Sequence, residues 1–424
     1  MAAASILFIL CPPYWEKLPH PGLASLCAYL NRAGVKSLFF DFNTLLYHRL
    51  KETTGKDWTI NPSYTEESFY ESLRNKAPGL FENLFTLIKK ERFSHIGFSL
   101  LKSNRTFVLK LARELKEAFP LVKIVLGGPE TFTLKIEGSL PLSCADHIVI
   151  GEGEKALERL LTETGSEKEI SFLQLDSLDF FPRYSEFNLP SYIRKKAMPL
   201  LFSRGCINRC SFCSERLLFK GYRCKDPGIL LEEILYHVHR NSISWFTFYD
   251  SMINGDLKKL DEGVDLLLKS GRRISWDAQI GIRPDMPEEL LEKMKRSGCV
   301  NLFVGLESGS AVLLEKMRKN FTPDQASLFL RKLNNAGLQN EISLILDFPG
   351  EEEKDFDDTL RFLKTNRSVI KKIAQVNLFK PYPGTAAAEF FSNAPARPGK
   401  IRRIISVLEE NKIRYTPSFI GNLL

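Results

Sequence analysis

Short apolar runs alternate with amphipathic helical patterns in the first third of the chain. Residues 5–10 form an apolar run typical of a buried strand, and apolar positions within residues 22–32 recur at the i, i+3, i+4, i+7 spacing of a helix. Further apolar runs predict strands at residues 37–41, 94–101, 122–126 and 147–150. Strands that alternate with helices imply crossovers and a parallel sheet. The pattern therefore predicts a Rossmann-like α/β domain over residues 1–151.

A second alternation of strands and helices starts at residue 199. Six apolar runs predict strands at residues 200–203, 245–249, 274–280, 301–305, 342–346 and 373–378, and the clearest helices between them cover residues 232–240, 257–270 and 288–297. Six such units predict an open, partial (β/α)₆ barrel over residues 199–386. The pattern is weak in residues 152–198, which we interpret as a linker. Residues 387–424 are interpreted as a C-terminal helical extension.

Composition and charge leave several classes of ligand open. The chain has 424 residues, of which 44% are hydrophobic and 26% charged, as in ordinary globular proteins. Its formal charge of +8 permits an anionic substrate, nucleic acid or a membrane surface but selects none of them. No apolar run approaches the ~20 residues of a membrane span. Residues 2–10 lack the basic start of a signal peptide, so we expect a cytoplasmic protein.

Three of the eight cysteines form a tight group. Cys206, Cys210 and Cys213 follow the first predicted strand of the second domain, where α/β folds place their sites, whereas the other five are scattered. Three thiolates can hold a [4Fe–4S] cluster and leave one iron open to a substrate. Zinc is the alternative, with Cys224, His237 or His239 as a fourth ligand.

The spacing Cys-x₃-Cys-x-Phe-Cys resembles that of the radical S-adenosylmethionine superfamily. Further segments resemble that family's motifs in order, at residues 248–250, 276–279, 304–309, 347–351 and 381–385. One departure is Asp347, which stands where the family usually has glycine. The resemblance implies that the open iron binds S-adenosylmethionine and that its cleavage gives a 5′-deoxyadenosyl radical. The implied S-adenosylmethionine-binding residues are Phe212, Asp250, Gln279, Arg283, Glu307, Ser308 and Pro349.

Each of these assignments has a structural alternative. Glu307 can cap a helix together with Ser308 and Ser310, and Asp250 can be an ordinary turn residue. Asp277 and Arg283 can form a structural ion pair. The turn at Pro349 can serve only to shape its loop.

The first domain resembles the cobalamin-binding domain that precedes the barrel in some radical S-adenosylmethionine proteins. Glycines at the predicted strand ends would let a flat macrocycle or its nucleotide tail approach the backbone. The implied cobalamin-binding residues are Pro13, Gly22, Ser99, Leu100, Leu101, Asn104, Gly127, Gly128, Pro129, Glu130, Gly151, Glu152 and Gly153. The Asp-x-His-x-x-Gly loop of classical cobalamin domains does not occur, and His20 does not fit its spacing. The resemblance is therefore to members that bind cobalt without a histidine.

Together the two resemblances imply an enzyme that uses a [4Fe–4S] cluster, S-adenosylmethionine and cobalamin. The expected reaction is methylation of an unactivated carbon in a small molecule, through a substrate radical that takes its methyl group from methylcobalamin. Alternatives are a cobalamin-dependent cyclisation or rearrangement, and a methylthiotransferase with a second cluster on Cys11, Cys27 and Cys144. The expected partner is a reductant of the flavodoxin or ferredoxin type, and no nucleic acid is expected. The sequence identifies no catalytic acid or base.

Overall fold

The computed structural model describes residues 4–54, 67–141, 143–163, 166–390 and 398–416. The chain divides into two compact units, Met1–Pro199 and Leu200–Leu424. None of the helices in these ranges is long and apolar enough to cross a membrane.

The first unit is built on a six-stranded sheet with the order β2-β1-β3-β4-β5-β6, in which all neighbouring strands are parallel. The predicted Rossmann-like fold is thereby confirmed. All five residues of β1 are buried, as expected for a strand covered on both faces. The strands are β1 (Ser5–Ile9), β2 (Lys36–Phe40), β3 (His95–Ser99), β4 (Lys123–Gly127), β5 (His147–Ile150) and β6 (Glu169–Ser171).

The described part of the first unit contains seven helices. The first begins where the His20 side chain accepts a hydrogen bond from the Leu23 amide, with Pro21 in the first turn, where proline suits a helix. The helices are α1 (Pro21–Arg32), α2 (Phe42–Thr54), α3 (Glu67–Lys76), α4 (Pro78–Glu91), α5 (Arg105–Ala118), α6 (Pro129–Ile136) and α7 (Glu154–Thr162).

Part of the region interpreted as a linker belongs to the first unit. Helix α7 contributes Leu157 and Leu160 to the same core cluster as Leu23 and Cys27 of α1. Strand β6 then pairs with β5 and extends the sheet. Three residues are too few for a clear periodic pattern, so this strand had no sequence signal.

The second sheet has seven strands, in which neighbours in space follow chain order, β7-β10-β11-β12-β13-β14-β15, and all but the start of β7 lies in the second unit. This arrangement is the predicted open barrel, and it places the carboxyl ends of its parallel strands at one edge. The strands are β7 (Ala197–Leu200), β8 (Ser203–Arg204), β9 (Arg223–Cys224), β10 (Trp245–Phe248), β11 (Ser275–Ile280), β12 (Cys299–Glu307), β13 (Gln339–Leu346), β14 (Lys372–Leu378) and β15 (Arg414–Tyr415). The helices are α8 (Glu215–Leu218), α9 (Pro227–Asn241), α10 (Leu257–Lys269), α11 (Glu288–Arg296), α12 (Ala311–Lys316), α13 (Pro323–Asn335), α14 (Glu353–Thr365) and α15 (Pro398–Glu410).

Two strands differ from the sequence prediction. The first barrel strand ends at Leu200 rather than at residue 203, and Ser203–Arg204 instead pairs with Arg223–Cys224 in an antiparallel ribbon. The C-terminal extension contributes β15, which pairs with β14 and adds a short seventh strand. Both changes result from long-range pairing that a local pattern does not show.

Candidate functional site

The three grouped cysteines lie on a loop that a glycine allows to form. Gly205 precedes the first cysteine at φ +81, and a Cβ atom there would lie 2.0 Å from the carbonyl oxygen of Gly221. Any other residue would therefore collide with the neighbouring backbone. The glycine lets the chain turn sharply out of β8 into the cysteine loop.

The cysteine side chains suit a cluster that offers each of them a separate iron. Burial raises the pKa of all three thiols, and at Cys213 burial together with the charges of Cys210 and Cys206 raises the pKa to about 11. Three thiolates this close repel one another, and bound iron would offset that repulsion. Within the described residues, no three His, Cys, Asp or Glu side chains converge on a single ion position. A cubane does not need such convergence, because each thiolate binds its own corner.

Asp250 holds the chain that leads into the cysteine loop. Its buried carboxylate accepts hydrogen bonds from the Phe202 amide, at 3.1 Å, and from the amide and hydroxyl of Ser203. Burial raises the pKa of Asp250 to about 6, although these hydrogen bonds act in the opposite direction. The Asp250 side chain therefore holds the backbone of residues 202 and 203 in place. This role is more specific than that of the ordinary turn residue considered from the sequence.

Glu307 is placed by a β-bulge at the end of β12. The register with β13 shifts between Gly305 and Glu307, and Glu307 has φ +70, which is unusual for a residue with a side chain. Its carboxylate accepts hydrogen bonds from Ser343, at 2.9 Å, and from Lys319, at 3.1 Å. The neighbouring helix α12 is capped by Ser310 instead. Glu307 is thus not a helix cap, and its backbone is held in a conformation that residues with a side chain rarely adopt.

Lys319 is a site residue that the sequence did not reveal. Its Nζ also donates to the Gly305 carbonyl, at 3.0 Å, and lies 5.5 Å from the centre of the Phe212 ring. Burial alone would lower the pKa of Lys319, but the charges of Glu307 and Cys210 outweigh it and raise the pKa. It follows Arg318 in an ordinary basic stretch, so only the fold distinguishes it from a surface lysine.

The other predicted S-adenosylmethionine contacts fall into two groups. Gln279 is exposed on β11, whereas Arg283 and Ser308 are engaged with protein. Arg283 donates to the carbonyls of residues 254 and 255 and pairs with Asp285, not with Asp277. Ser308 bonds to Thr359 at 3.1 Å. Phe212 and Gln279 are therefore more open to a ligand than Asp250, Arg283 or Ser308, whereas Glu307 is buried and bonded to protein through both carboxylate oxygens.

Pro349 lines an open cavity of about 350 Å³ beside the cysteine loop. Its lining includes residues 348–350 and Ser211 of the cysteine loop. Phe348 contacts the Phe212 ring edge-on, with ring centres 6.3 Å apart. The turn after β13 and the cysteine loop are thus packed against each other.

In the first unit, the predicted cobalamin residues gather at the carboxyl edge of the sheet. Strand order reverses between β1 and β3, and ligands of open α/β sheets bind at such a switch point. The Asn104 side chain bridges this switch point. Its Nδ2 donates to the Ser99 carbonyl at 3.1 Å and to the Cys11 carbonyl at 3.4 Å, and its Oδ1 accepts from the Leu101 amide. Ser103 likewise donates to the carbonyl of Pro13. Asn104 therefore shapes the site rather than presenting its amide to a ligand.

Gly127 and Gly128 keep this edge free of side chains. A Cβ atom on Gly127 would make only ordinary van der Waals contacts, with its nearest neighbour 3.9 Å away, so no close contact requires glycine at the end of β4. Gly128 has φ +96, and a Cβ atom there would lie 2.6 Å from the Leu100 carbonyl oxygen. A flat cofactor can approach this bare backbone, which fits the cobalamin expected here.

Gly128→Ala is expected to remove cobalamin binding and to lower the melting temperature. The reason is the collision with Leu100 in addition to the positive φ. Gly138→Ala is the matched control, since Gly138 has φ +66 with open space around it, and it should cost only about 1 kcal/mol. Cobalamin retention after gel filtration and thermal unfolding measure both effects. Equal cobalamin retention in the two variants would contradict the assignment.

The remaining predicted cobalamin residues mostly hold the first unit together. Glu130, next to Pro129, pairs with Arg105, and Glu152 accepts from the Leu175 amide, at 3.0 and 3.1 Å. Gly153 permits the close approach of Leu26, and a Cβ atom on Gly22 would lie 3.1 Å from the His20 ring. Gly151 has φ +92 at the end of β5.

His20 is committed to the start of α1. Its Nδ1 accepts from Leu23, and burial lowers the pKa of His20 to about 4. This placement agrees with the prediction that it is not a cobalt ligand.

Asn43 is a further candidate at this edge. Its side chain is fully buried, and its Oδ1 accepts from the Tyr14 amide at 2.9 Å. Its Nδ2 has no hydrogen-bond partner within the described residues. A buried amide donor without a partner is costly, and a bound cofactor with amide groups would satisfy it.

Two family models match the chain. The B12-binding domain matches residues 66–161, and the radical SAM superfamily matches residues 200–363. This chain is a radical S-adenosylmethionine protein with a B12-binding domain. Its cofactors are accordingly a [4Fe–4S] cluster, S-adenosylmethionine and cobalamin, and the site residues described above fit all three.

Several curated proteins resemble this radical S-adenosylmethionine protein. An uncharacterized methyltransferase from Pyrococcus horikoshii is 27% identical over 73% of this chain and 72% of its own length. Bacteriochlorophyllide d C-8(2)-methyltransferase from Chlorobaculum tepidum is 27% identical over 67% and 66%. An anaerobic magnesium-protoporphyrin IX monomethyl ester cyclase from Rubrivivax gelatinosus is 23% identical over 67% and 55%. A tRNA-2-methylthio-N(6)-dimethylallyladenosine synthase from Natranaerobius thermophilus is 26% identical over 70% and 68%.

A solved structure shares the fold over nearly the whole chain. The radical S-adenosylmethionine methyltransferase TsrM from Kitasatospora setae, solved with cobalamin and a [4Fe–4S] cluster bound, superposes with a TM-score of 0.67. The match covers 91% of this chain and 74% of TsrM at 16% identity. At that identity the likeness establishes the fold.

Proposed function

We propose that this protein is a cobalamin-dependent radical S-adenosylmethionine methyltransferase that acts on an unactivated carbon of a small molecule. The observation that carries the proposal is one chain that combines a three-cysteine loop, at the carboxyl edge of a barrel, with a bare-backbone switch point in a B12-binding domain. Two of the similar curated proteins are named as methyltransferases. The protein acts in the cytoplasm and receives electrons from an external flavodoxin or ferredoxin.

Different side chains have different proposed roles in the reaction. Cys206, Cys210 and Cys213 hold the cluster, which when bound supplies the electron that cleaves S-adenosylmethionine, while bound cobalamin supplies the methyl group. Glu307 and Lys319 form the charged wall of the S-adenosylmethionine pocket, and Phe212 contributes its ring. Gly127 and Gly128 would admit cobalamin to the sheet edge, where the Asn43 amide could donate a hydrogen bond to it.

Isotope transfer tests the proposed reaction. The reconstituted protein is incubated with a low-potential reductant, methyl-labelled S-adenosylmethionine and a panel of tetrapyrroles, because two of the similar proteins are named for such substrates. We expect 5′-deoxyadenosine together with a labelled methyl group in one product. A product altered without labelled methyl, formed along with 5′-deoxyadenosine, would replace methyl transfer by cyclisation or rearrangement.

A methylthiotransferase is the second candidate because a similar protein carries that name. It would need a second cluster on Cys11, Cys27 and Cys144. All three are buried, and burial raises the pKa of each thiol, that of Cys27 to about 12. Cys27 packs in the core cluster of the first unit. These positions favour packing over cluster binding, and iron content per chain separates the two candidates.

A further inference from the structure

A buried ammonium from helix α15 lies against the turn that follows β13. Lys400 is 4% exposed, and its Nζ lies 2.9 Å from a carboxylate oxygen of Asp347 and 3.1 Å from one of Glu351. It also lies 5.4 Å from the centre of the Phe356 ring. Burying a lysine is costly unless it is paired, so this placement calls for an explanation.

The turn that Lys400 contacts contains two acidic residues, Asp347 and Glu351, whose carboxylates carry like charges. The Glu351 carboxylate accepts a hydrogen bond from the Asp347 amide, which brings both acidic residues to one point. Asp347 has φ +55, a conformation that suits the glycine found here in the family pattern. Replacing that glycine by aspartate adds a charge beside Glu351, and Lys400 supplies the counter-ion for both.

The same turn shapes the cavity beside the cysteine loop. Phe348, Pro349 and Gly350 line this cavity together with Ser211. Lys316 of α12 donates to the Gly350 carbonyl at 2.6 Å, so the turn is held from two sides. A change in the turn would be passed to the cysteine loop through the contact between Phe348 and Phe212.

We infer that Lys400 is a positioning residue for the S-adenosylmethionine pocket, because its ammonium joins Asp347 and Glu351 and so fixes the turn that lines the cavity beside the cysteine loop. The inference rests on the proposed function for the identity of the ligand. Helix α15 then contributes a residue that positions the pocket, and it is more than a helix appended to the barrel. The contact between Lys400 and the turn does not depend on that identity.

The test replaces Lys400 by methionine, which keeps the apolar stem beside Phe356 but removes the charge. Arg403→Met is the matched control, because Arg403 lies on the same helix, 4.8 Å from the same ring, and pairs with Glu353 and Asp357 instead of the turn. We expect Lys400→Met to speed amide exchange in residues 347–351 about tenfold and to weaken S-adenosylmethionine binding about tenfold. Arg403→Met should change neither by more than about twofold.

A second variant keeps the test decisive if Lys400→Met is merely unstable. Asp347→Gly combined with Lys400→Met removes the added charge and restores glycine at the positive φ, so exchange and binding should return towards wild type. No recovery in the double variant would overturn the counter-ion role, and equal exchange in Lys400→Met and Arg403→Met would overturn the inference. If the wild-type protein failed to bind S-adenosylmethionine, the proposed function would fail, whereas the exchange data would still decide whether Lys400 holds the turn.

Discussion

Replacing any one of Cys206, Cys210 and Cys213 by alanine is expected to abolish S-adenosylmethionine cleavage. Each thiolate binds one iron corner, and a cubane with two remaining ligands is not retained. Iron content should fall from about four per chain to below one, and the visible absorption of the cluster should disappear. Cleavage is measured as 5′-deoxyadenosine formed with a chemical reductant.

Cys224→Ala is the matched control for these variants. Cys224 lies on β9, directly opposite Ser203 in the ribbon that precedes the cysteine loop, and it is also partly buried. This variant should keep its iron and its cleavage activity. Full iron content in Cys206→Ala together with iron loss in Cys224→Ala would show that the cluster ligands are assigned wrongly. About eight irons in the wild-type protein would instead favour the methylthiotransferase.

Glu307→Gln is expected to reduce both stability and S-adenosylmethionine binding, and a double variant separates the two effects. The substitution leaves the Lys319 ammonium buried without its carboxylate, which costs about 3 kcal/mol of unfolding free energy. Glu307→Gln combined with Lys319→Met removes both charges and should recover most of that stability. Binding should stay weakened about tenfold or more in the double variant, because the charged wall of the pocket is gone.

The measurements are denaturant unfolding and equilibrium binding of S-adenosylmethionine to the reconstituted protein. Glu315→Gln, on the exposed face of α12, is the control and should match the wild type in both. Recovery of stability and of binding together would mean that Glu307 and Lys319 form a structural pair only. Iron content should stay near the wild-type value throughout, since neither residue is a cluster ligand.

In the first unit, some features can be predicted from the sequence pattern and others only from the folded structure. Five apolar strands can be predicted because each is a continuous apolar run, although only β1 and β5 are buried along their whole length. The glycines at their ends can be predicted as well, since only glycine tolerates the conformation and the close contact at Gly128. Strand order cannot be predicted from such runs, so the switch point and the bridge made by Asn104 appear only in the folded sheet.

The same distinction applies to the site residues of the second unit. Cys206, Cys210 and Cys213 are close in sequence, so their spacing alone indicates a shared cluster. Asp250 and Glu307 were identified from their motifs, but what they contact depends on β10 lying beside β7 and β12 lying beside β13. In the structure Asp250 holds backbone, and Glu307 has a lysine partner 12 residues away.

The sequence by itself therefore determined the order of the two α/β domains and the glycine-lined strand ends, and it predicted the cluster ligands, because local spacing and backbone conformation encode these features. Only the tertiary structure decided the surroundings of Lys319, Asn43 and Lys400, from which their roles are proposed. Each is a common polar residue with no local signature. What distinguishes it is burial beside a particular charge or backbone group, and that arises only when distant segments pack together.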